Sequence, residues 1–564
     1  MQEYISKVRI DKGWSSDEKY CVTDGEGMRY LLRISDITQY DKKQFEFHMM
    51  EQVAALGVPM CQPMEFGTCA EGVYSVQSWI DGEDAEKVIS GCSDTEQYVY
   101  GLEAGRILRK IHSISIPKVQ EDWQCRFNRK IDARIQKYNE CPIQYENGQA
   151  FIDYINANRH LLKNRPQVYR HGDYHIGNMM IDRAGKLRVI DFHRNGYGDP
   201  WEEFDRIVWS AQKSPLFASG MVNGYFDDRV PMEFWRLLAL YISGNMLSSA
   251  YWAIPFGQGE VETMLNQARE VLSWYDNMRN PVPTWYFKGY YLQYIDGLPF
   301  KLKSRFDFSF LKEYGTVFKI FDDQDSGNIC FGTEKDGRRY FVKFAGAPTE
   351  RLDGSPADAV ARLKATLPIY KELKYESLIR LIEAKEIGGG FAMVFQWANG
   401  DCMGRMYPAA HHRFMNLSIG ARLAVYEDIL SFLEYVASRN YVAIDFYDGS
   451  IMYDFENART TICDIDFFRK QPCVNDMGHM WGSSLFQSPE EYELGAVIDE
   501  ITNVYTAGAT AFALFGSYSR TREKWQLGDK LFEIATKAVS NDRNRRQQSI
   551  RQLRKEWETA CCRE

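Results

Sequence analysis

Apolar and polar positions along the chain repeat one plan twice. Residues 20–22 and 30–34 alternate or run apolar in the manner of short β-strands, and an amphipathic helix starts near Lys42. Residues 72–80 read as strand again, after which apolar positions recur at helical spacing, as in residues 98–112. Beyond residue 300 the order returns: strand-like residues 317–321, 340–344 and 391–397, then an amphipathic helix over residues 421–437. Between the halves, Asn280-Pro281-Val282-Pro283 is expected to end a long helix, since proline cannot continue one. These elements predict an α+β protein of two tandem units, residues 1–290 and 301–564, with the boundary near residue 295. The linker is not Gly/Ser-rich, which leaves contact between the two halves open.

Length agrees with that division, because 564 residues exceed what one hydrophobic core usually supports. An internal repeat supports it too. Asp173 to Asn178, then Met179-Met180-Ile181-Asp182 and Val189-Ile190-Asp191-Phe192-His193-Arg194, has a counterpart later in the chain. The counterpart is Asp445 to Ser450, then Ile451-Met452-Tyr453-Asp454 and Asp464-Ile465-Asp466-Phe467-Phe468-Arg469. This register pairs Asp191 with Asp466. In each copy a turn carrying an acid leads into a β-hairpin whose second strand ends in another acid.

Composition narrows the function classes. With 45% hydrophobic and 26% charged residues the chain is an ordinary globular protein. A net charge of −9 argues against a nucleic-acid partner, which needs a basic stripe to displace phosphate counterions. The twelve cysteines are scattered without Cys-x-x-Cys spacing, as free thiols of a reducing compartment would be. No signal-like segment opens the sequence. Residues 237–256 lack charge but contain Ser243, Gly244, Asn245, Ser248, Ser249 and Pro255, so a buried helix is expected and no membrane span. The expected location is cytoplasmic.

The candidate chemistry lies in His171-Gly172-Asp173-Tyr174-His175-Ile176-Gly177-Asn178 and Ile190-Asp191-Phe192. Phosphoryl transfer needs an acid to orient and deprotonate its acceptor, oxygen ligands for magnesium, and positive charge near the phosphates. Asp173 supplies an acid, the Asn178 amide oxygen is a hard ligand suited to Mg²⁺, and the Asp191 carboxylate is another. Asp199, in Gly198-Asp199-Pro200-Trp201, and Asp205 read as structural acids near the site, and His171 as a buttress.

The whole string, His-Gly-Asp, four residues, Asn, then Ile-Asp-Phe and Gly-Asp-Pro, closely resembles aminoglycoside phosphotransferases and their choline-, homoserine- and fructosamine-kinase relatives over roughly residues 10–280. The resemblance implies a protein-kinase-like bilobal unit, with a small β-rich lobe and a larger helical lobe. It implies ATP and Mg²⁺ as cofactors, Asp173 as catalytic base, Asn178 and Asp191 as metal ligands, and a small-molecule hydroxyl as acceptor. The lysine that kinases place on the third strand falls at Arg33, which keeps the charge but not the shape. Glu46 is its expected partner. Gly13-Trp14-Ser15-Ser16 is a thin phosphate loop in which Ser15 and Ser16 supply hydroxyls, and residues 77–80 are the expected adenine-reading hinge. The segment 122–138 is expected to shape the acceptor pocket. Its acids Glu121, Asp122 and Asp132 are either a lure for a cationic acceptor or a solvated face.

Residues 310–555 resemble a eukaryotic-type Ser/Thr protein kinase. On that resemblance Lys343 is the β3 lysine, Asp445 the catalytic-loop acid and Asp466 the metal ligand. Ser488-Pro489-Glu490 stands where such kinases carry Ala-Pro-Glu, with Asp499 and Arg546 as anchors of the helical lobe. Ala443-Ile444 replaces His-Arg, Ser450 replaces the metal-binding asparagine, and Phe468 stands where a glycine follows Asp-Phe. Only Gly327 remains in the glycine loop, and no glutamate marks the helix-C position of such kinases, where Thr366 is nearest. Three readings follow for this half: a regulatory or scaffolding pseudokinase, a divergent active kinase, or a unit that completes the first half's substrate site. The chain as a whole reads as an ATP-dependent small-molecule phosphotransferase acting through its first half. A protein kinase acting through the second half, or a nucleotide-binding sensor, is the alternative.

Overall fold

The computed structural model describes residues 4–11, 17–118, 120–352 and 354–562. The chain divides into two compact units, Met1–Tyr290 and Tyr291–Glu564.

The first unit begins with an antiparallel sheet of β1 (Ser6–Arg9), β2 (Glu18–Thr23), β3 (Arg29–Ser35), β4 (Pro63–Cys69) and β5 (Gly72–Ser78), in the order β1-β2-β3-β5-β4. Strand periodicity sorts its faces. Val22, Leu32, Ile34, Tyr74 and Val76 cluster on one side. Arg33, between Leu32 and Ile34, therefore points to the other, and Lys19 is its cross-strand partner. Helix α1 (Tyr40–Ala55) follows β3 and buries Met49, Met50 and Val53.

The remainder of this unit is mainly helical. Asp94–Ile111, opened by a Ser93/Glu96 capping box, lies against Pro215–Phe226 at very close range. A Cβ on Gly101 would come within 2.2 Å of the Phe217 carbonyl oxygen, and one on Gly105 within 2.1 Å of that of Met221. Only glycine allows that approach. The uncharged stretch forms part of the helix Met232–Ala253, whose residues Leu237 to Leu247 are buried without a break. The next helix, Gln258–Trp274, stops short of the prolines expected to end it. Three successive left-handed residues, Asp276, Asn277 and Met278, break the chain first. Against the helical core a three-stranded sheet (Gly82–Asp84, Met179–Asp182, Leu187–Val189) carries the candidate loops.

The second unit opens with a hairpin, Tyr291–Ile295 and Leu298–Leu302. It then forms a five-stranded antiparallel sheet from Thr316–Phe321, Asn328–Lys335, Arg338–Ala345, Leu381–Ile387 and Gly390–Gln396. The neighbours in this sheet follow the same order as in the first: first, second, third, fifth, fourth. Both sheets also carry a bulge at the same place, between Pro63 and Glu65 in one and Leu381 and Glu383 in the other. The helix Pro356–Glu372 follows the third strand, and Ile419–Ser438 and Glu500–Phe515 build the helical part.

Candidate active site

Arg33 projects from β3 into a nest of carboxylates. Its Nε and Nη2 donate to Asp17 Oδ2 at 3.2 and 3.0 Å, and its Nη1 donates to Asp191 Oδ1 at 3.0 Å. The expected partner, Glu46, is instead 3.1 Å from Lys43 Nζ, a residue three positions away on the same helix turn. Lys43 also reaches Asp17, at 2.9 Å, and the Ser35 hydroxyl donates to Asp17 at 2.7 Å. Burial works to raise the Asp17 carboxyl, but Arg33 and Lys43 overcome it and hold it at about 2. Asp17 thus does for Arg33 what Glu46 was expected to do, because it enters from the start of β2 on the same face. Ser15 and Ser16 lie outside the described residues. In the expected hinge, the Gln77 side chain turns into the core, where its Oε1 accepts from the Cys61 thiol.

The loop 171–178 is fixed from below. His171 is fully buried; its Nε2 lies 2.9 Å from the Ile190 carbonyl oxygen and its Nδ1 accepts the Asp173 N–H at 3.3 Å. One neutral tautomer, protonated on Nε2, satisfies both contacts. Gly172 has φ +86°, and its N–H donates to Glu203 Oε1 at 2.8 Å. Asn178 Nδ2 donates to the Asp173 carbonyl at 2.8 Å and to Asp173 Oδ2 at 3.2 Å. The asparagine oxygen is thereby turned away from Asp173. Burial pushes the His175 imidazole down to about 4, so it is neutral near pH 7.

Asp191 follows the strand Leu187–Val189, anchored by Ile190 N–H donating to the Asn178 carbonyl at 3.0 Å. Its backbone is left-handed, φ 69°, which aims the carboxylate back toward Arg33. Although burial opposes ionisation, the 2.7 Å contact to His193 Nδ1 and the Arg33 charge hold this carboxyl far below the usual range. Both partners take Oδ1. Among the described residues, Oδ2 of Asp191 and the amide oxygen of Asn178 are left uncommitted. Two hard oxygens are what the protein need provide for Mg²⁺ when phosphates and water complete its shell, so the donor set fits that ion.

Several residues here carried no distinctive sequence signal. Lys19 shares the Arg33 face and interacts electrostatically with Arg33, Asp191 and Asp17. Arg206 Nε lies 3.4 Å from Asp173 Oδ1 and 3.5 Å from Asp205 Oδ1, and Arg194 Nη1 lies 3.6 Å from Asp173 Oδ1. Asp199 is fully buried, accepting from Arg165 Nη2 at 3.1 Å, Tyr241 at 2.8 Å and the Trp201 N–H at 2.8 Å. Of the two readings of Glu121, Asp122 and Asp132, a lure for a cationic acceptor or a solvated face, the observed contacts favour the second. Asp122 caps the helix Trp123–Asn139 by accepting the Cys125 N–H, Glu121 pairs with Arg129, and Asp132 pairs with Arg159 at 2.7 Å.

In the second unit the structure corrects the register of the repeat. Met179 pairs with Val189 and Ile451 with Ile462, and parallel bridges join Met60 to Val189 and Leu378 to Ile462. Cys463 N–H donates to the Ser450 carbonyl at 2.8 Å, as Ile190 does to Asn178. Asp464, left-handed at φ 55°, is therefore the counterpart of Asp191, and Asp466 lies two residues further on. The sequence hid this because the second hairpin is one residue longer. Asp466 accepts from Lys343 Nζ at 2.6 Å and from the Tyr370 hydroxyl at 2.8 Å. Tyr370 belongs to the helix Pro356–Glu372, so Asp466 gives Lys343 the acidic partner that this helix lacks. Lys343 also reaches Asp464, at 3.2 Å. Asp445 is left-handed too, φ 57°. Burial first, then Asp464, Glu491 and Asp466, push its carboxyl up to about 7. The Ser450 hydroxyl is buried and makes no hydrogen bond. Away from this cluster, Arg546 grips Glu490 through two bonds of 2.6 and 2.9 Å, and Asp499 caps Glu500–Phe515.

Compared with known families, residues 8–235 match the model of the phosphotransferase enzyme family. The matched span holds every residue of the first unit's candidate site, and the similarity points to a kinase-type phosphotransferase. No curated protein matches the chain.

Proposed function

We propose that the first unit transfers the γ-phosphoryl group of ATP to the hydroxyl of a small molecule, with Asp173 as the base. The observation that carries this reading is the bonded path from Asp173 to Asn178 and on to Ile190-Asp191. It gathers one acid and two uncommitted oxygen donors at one end of a sheet. Asn178 and Asp191 would hold Mg²⁺, which would supply charge neutralisation for the phosphates. Asp173 orients the acceptor hydroxyl and takes its proton as the new O–P bond forms and the bond to the bridging oxygen of ADP breaks. Arg33 fixes Asp191 and, with Lys19 and Lys43, brings positive charge to the phosphate side.

The second unit we read as a regulatory pseudokinase. Serine replaces the asparagine ligand, Asp466 occupies Lys343, and Asp322, Asp323 and Asp325 fill the loop that faces phosphates in kinases.

Conversion of ATP to ADP, with Mg²⁺ and pooled hydroxyl acceptors, tests the first assignment. Acceptor-dependent turnover in the wild type that is lost in Asp173→Asn is expected. Turnover that survives the substitution rejects Asp173 as the base.

A further inference from the structure

On the acceptor side of Asp173 the side chains are basic. Five cations converge there from four elements: Lys130 and Arg134 from Trp123–Asn139, Arg170 from Val168–Arg170, Arg194 from Phe192–Arg194, and Arg206 from Glu202–Arg206. Among the described residues four carboxylates answer them, and one of these, Glu203, feels Arg170. Glu202 takes Lys130 at 2.7 Å and also pairs with Arg170. Asp205 feels Arg206, Lys130, Arg134 and Arg170, and Asp173 feels Arg206 and Arg194.

One of the cations keeps a donor in reserve. Arg134 Nη1 is buried and makes no hydrogen bond, whereas Arg206 Nε is held by longer ion contacts to Asp173 and Asp205. Buried donors normally find a partner, and a charged donor without one is costly, so a group missing from the protein is indicated. The Lys130 side chain is 43% exposed, so a solute can reach it.

Resting on the phosphotransferase reading, we propose that the acceptor is an anion: a small molecule bearing a hydroxyl beside a carboxylate or phosphate, whose charged group is held by Lys130, Arg134 and Arg206. Its hydroxyl then lies toward Asp173, and a cationic aminoglycoside or choline-like acceptor meets repulsion. The helix Trp123–Asn139 is the specificity element, recognising charge through its basic face rather than through its acids.

The test uses the full chain, ATP and Mg²⁺ with four acceptor pools: sugar phosphates, hydroxy and sugar acids, neutral sugars and polyols, and cationic amines including aminoglycosides and choline. Turnover at least tenfold above the other classes is expected in one of the two anionic pools, and which one distinguishes phosphate from carboxylate. In Arg134→Gln the KM for that acceptor should rise tenfold or more while the KM for ATP stays within twofold, with partial rescue by Arg134→Lys. Lys130→Gln, at a half-exposed position, serves if Arg134→Gln folds poorly. Turnover confined to neutral or cationic acceptors overturns the anionic assignment and leaves phosphotransfer standing. A rise in the KM for ATP instead assigns these cations to the nucleotide and equally overturns it. Failure of every pool overturns the phosphotransferase reading, and this inference with it.

Discussion

Replacing Gly172 by alanine should cripple the first unit while changing one methyl group. Gly172 has φ +86°, where an L side chain costs about 1–2 kcal/mol. The larger effect is steric. The new Cβ would lie 1.9 Å from the Arg194 carbonyl oxygen and 2.6 Å from its carbon, both backbone atoms. Reaching even 3.0 Å, a separation below which real contacts essentially never fall, needs an opening of 3.0 − 1.9, or about 1.1 Å. Neither wall yields easily, since Gly172 N–H is held by buried Glu203 and Arg194 closes the turn after Asp191. The displacement falls on Asp173, the next residue. Misplacing a catalytic group by ~1 Å costs about a hundredfold in rate. We expect acceptor-dependent kcat to fall by about that factor, with the KM for ATP little changed. Gly257→Ala is the matched control, with φ +94° but nothing within 4 Å of its Cβ. It should show only the conformational cost, as a small drop in Tm, and normal turnover. Gly172→Ala turning over within threefold of the wild type would refute the reasoning.

Two further outcomes concern the second unit. Arg546→Met removes a fully buried guanidinium from Glu490 and should lower the stability of that unit by about 3–5 kcal/mol in urea titrations, whereas Glu490→Gln combined with Arg546→Met should recover part of it. For Asp445, a folded-state carboxyl at about 7 against the ordinary 3.8 means that the unfolded chain ionises first, so its contribution to stability falls as pH rises from 3.8 to 7 and is flat above. Asp445→Asn removes that loss. The variant should match the wild type near pH 4 and exceed it by up to about 4 kcal/mol at pH 8, at 1.36 kcal/mol per unit; equal stability at both pH values refutes the assignment.

How much of this was legible beforehand depended on the range of the interactions. Strands and helices set by local periodicity appear close to where the pattern places them: residues 30–34 lie within Arg29–Ser35, and residues 421–437 within Ile419–Ser438. The loop 171–178 was equally visible, because an acid and an amide five residues apart are fixed by one turn. Pairings across long separations were not. Asp17 reaches Arg33 through cross-strand register rather than through helix α1, which no local pattern reveals. Asp464 and Asp466 were confused because both are acids near a strand end, and only the ladder from Ile451 to Ile462 decides which one is aimed at the loop. The acids Glu121, Asp122 and Asp132 left two readings open for a related reason, since an N-cap and two surface ion pairs look like any other charges until their partners are known. The basic acceptor side draws on four separate segments, so no single window of sequence contains it.

The most direct test of the central claim, that the first unit is the catalyst, is acceptor-dependent ADP formation by Asp173→Asn and Asp464→Asn compared with the wild type. Loss of about a hundredfold or more in Asp173→Asn, with Asp464→Asn within threefold of the wild type, is the predicted result. Turnover that survives Asp173→Asn and disappears in Asp464→Asn contradicts it and moves the catalyst to the second unit.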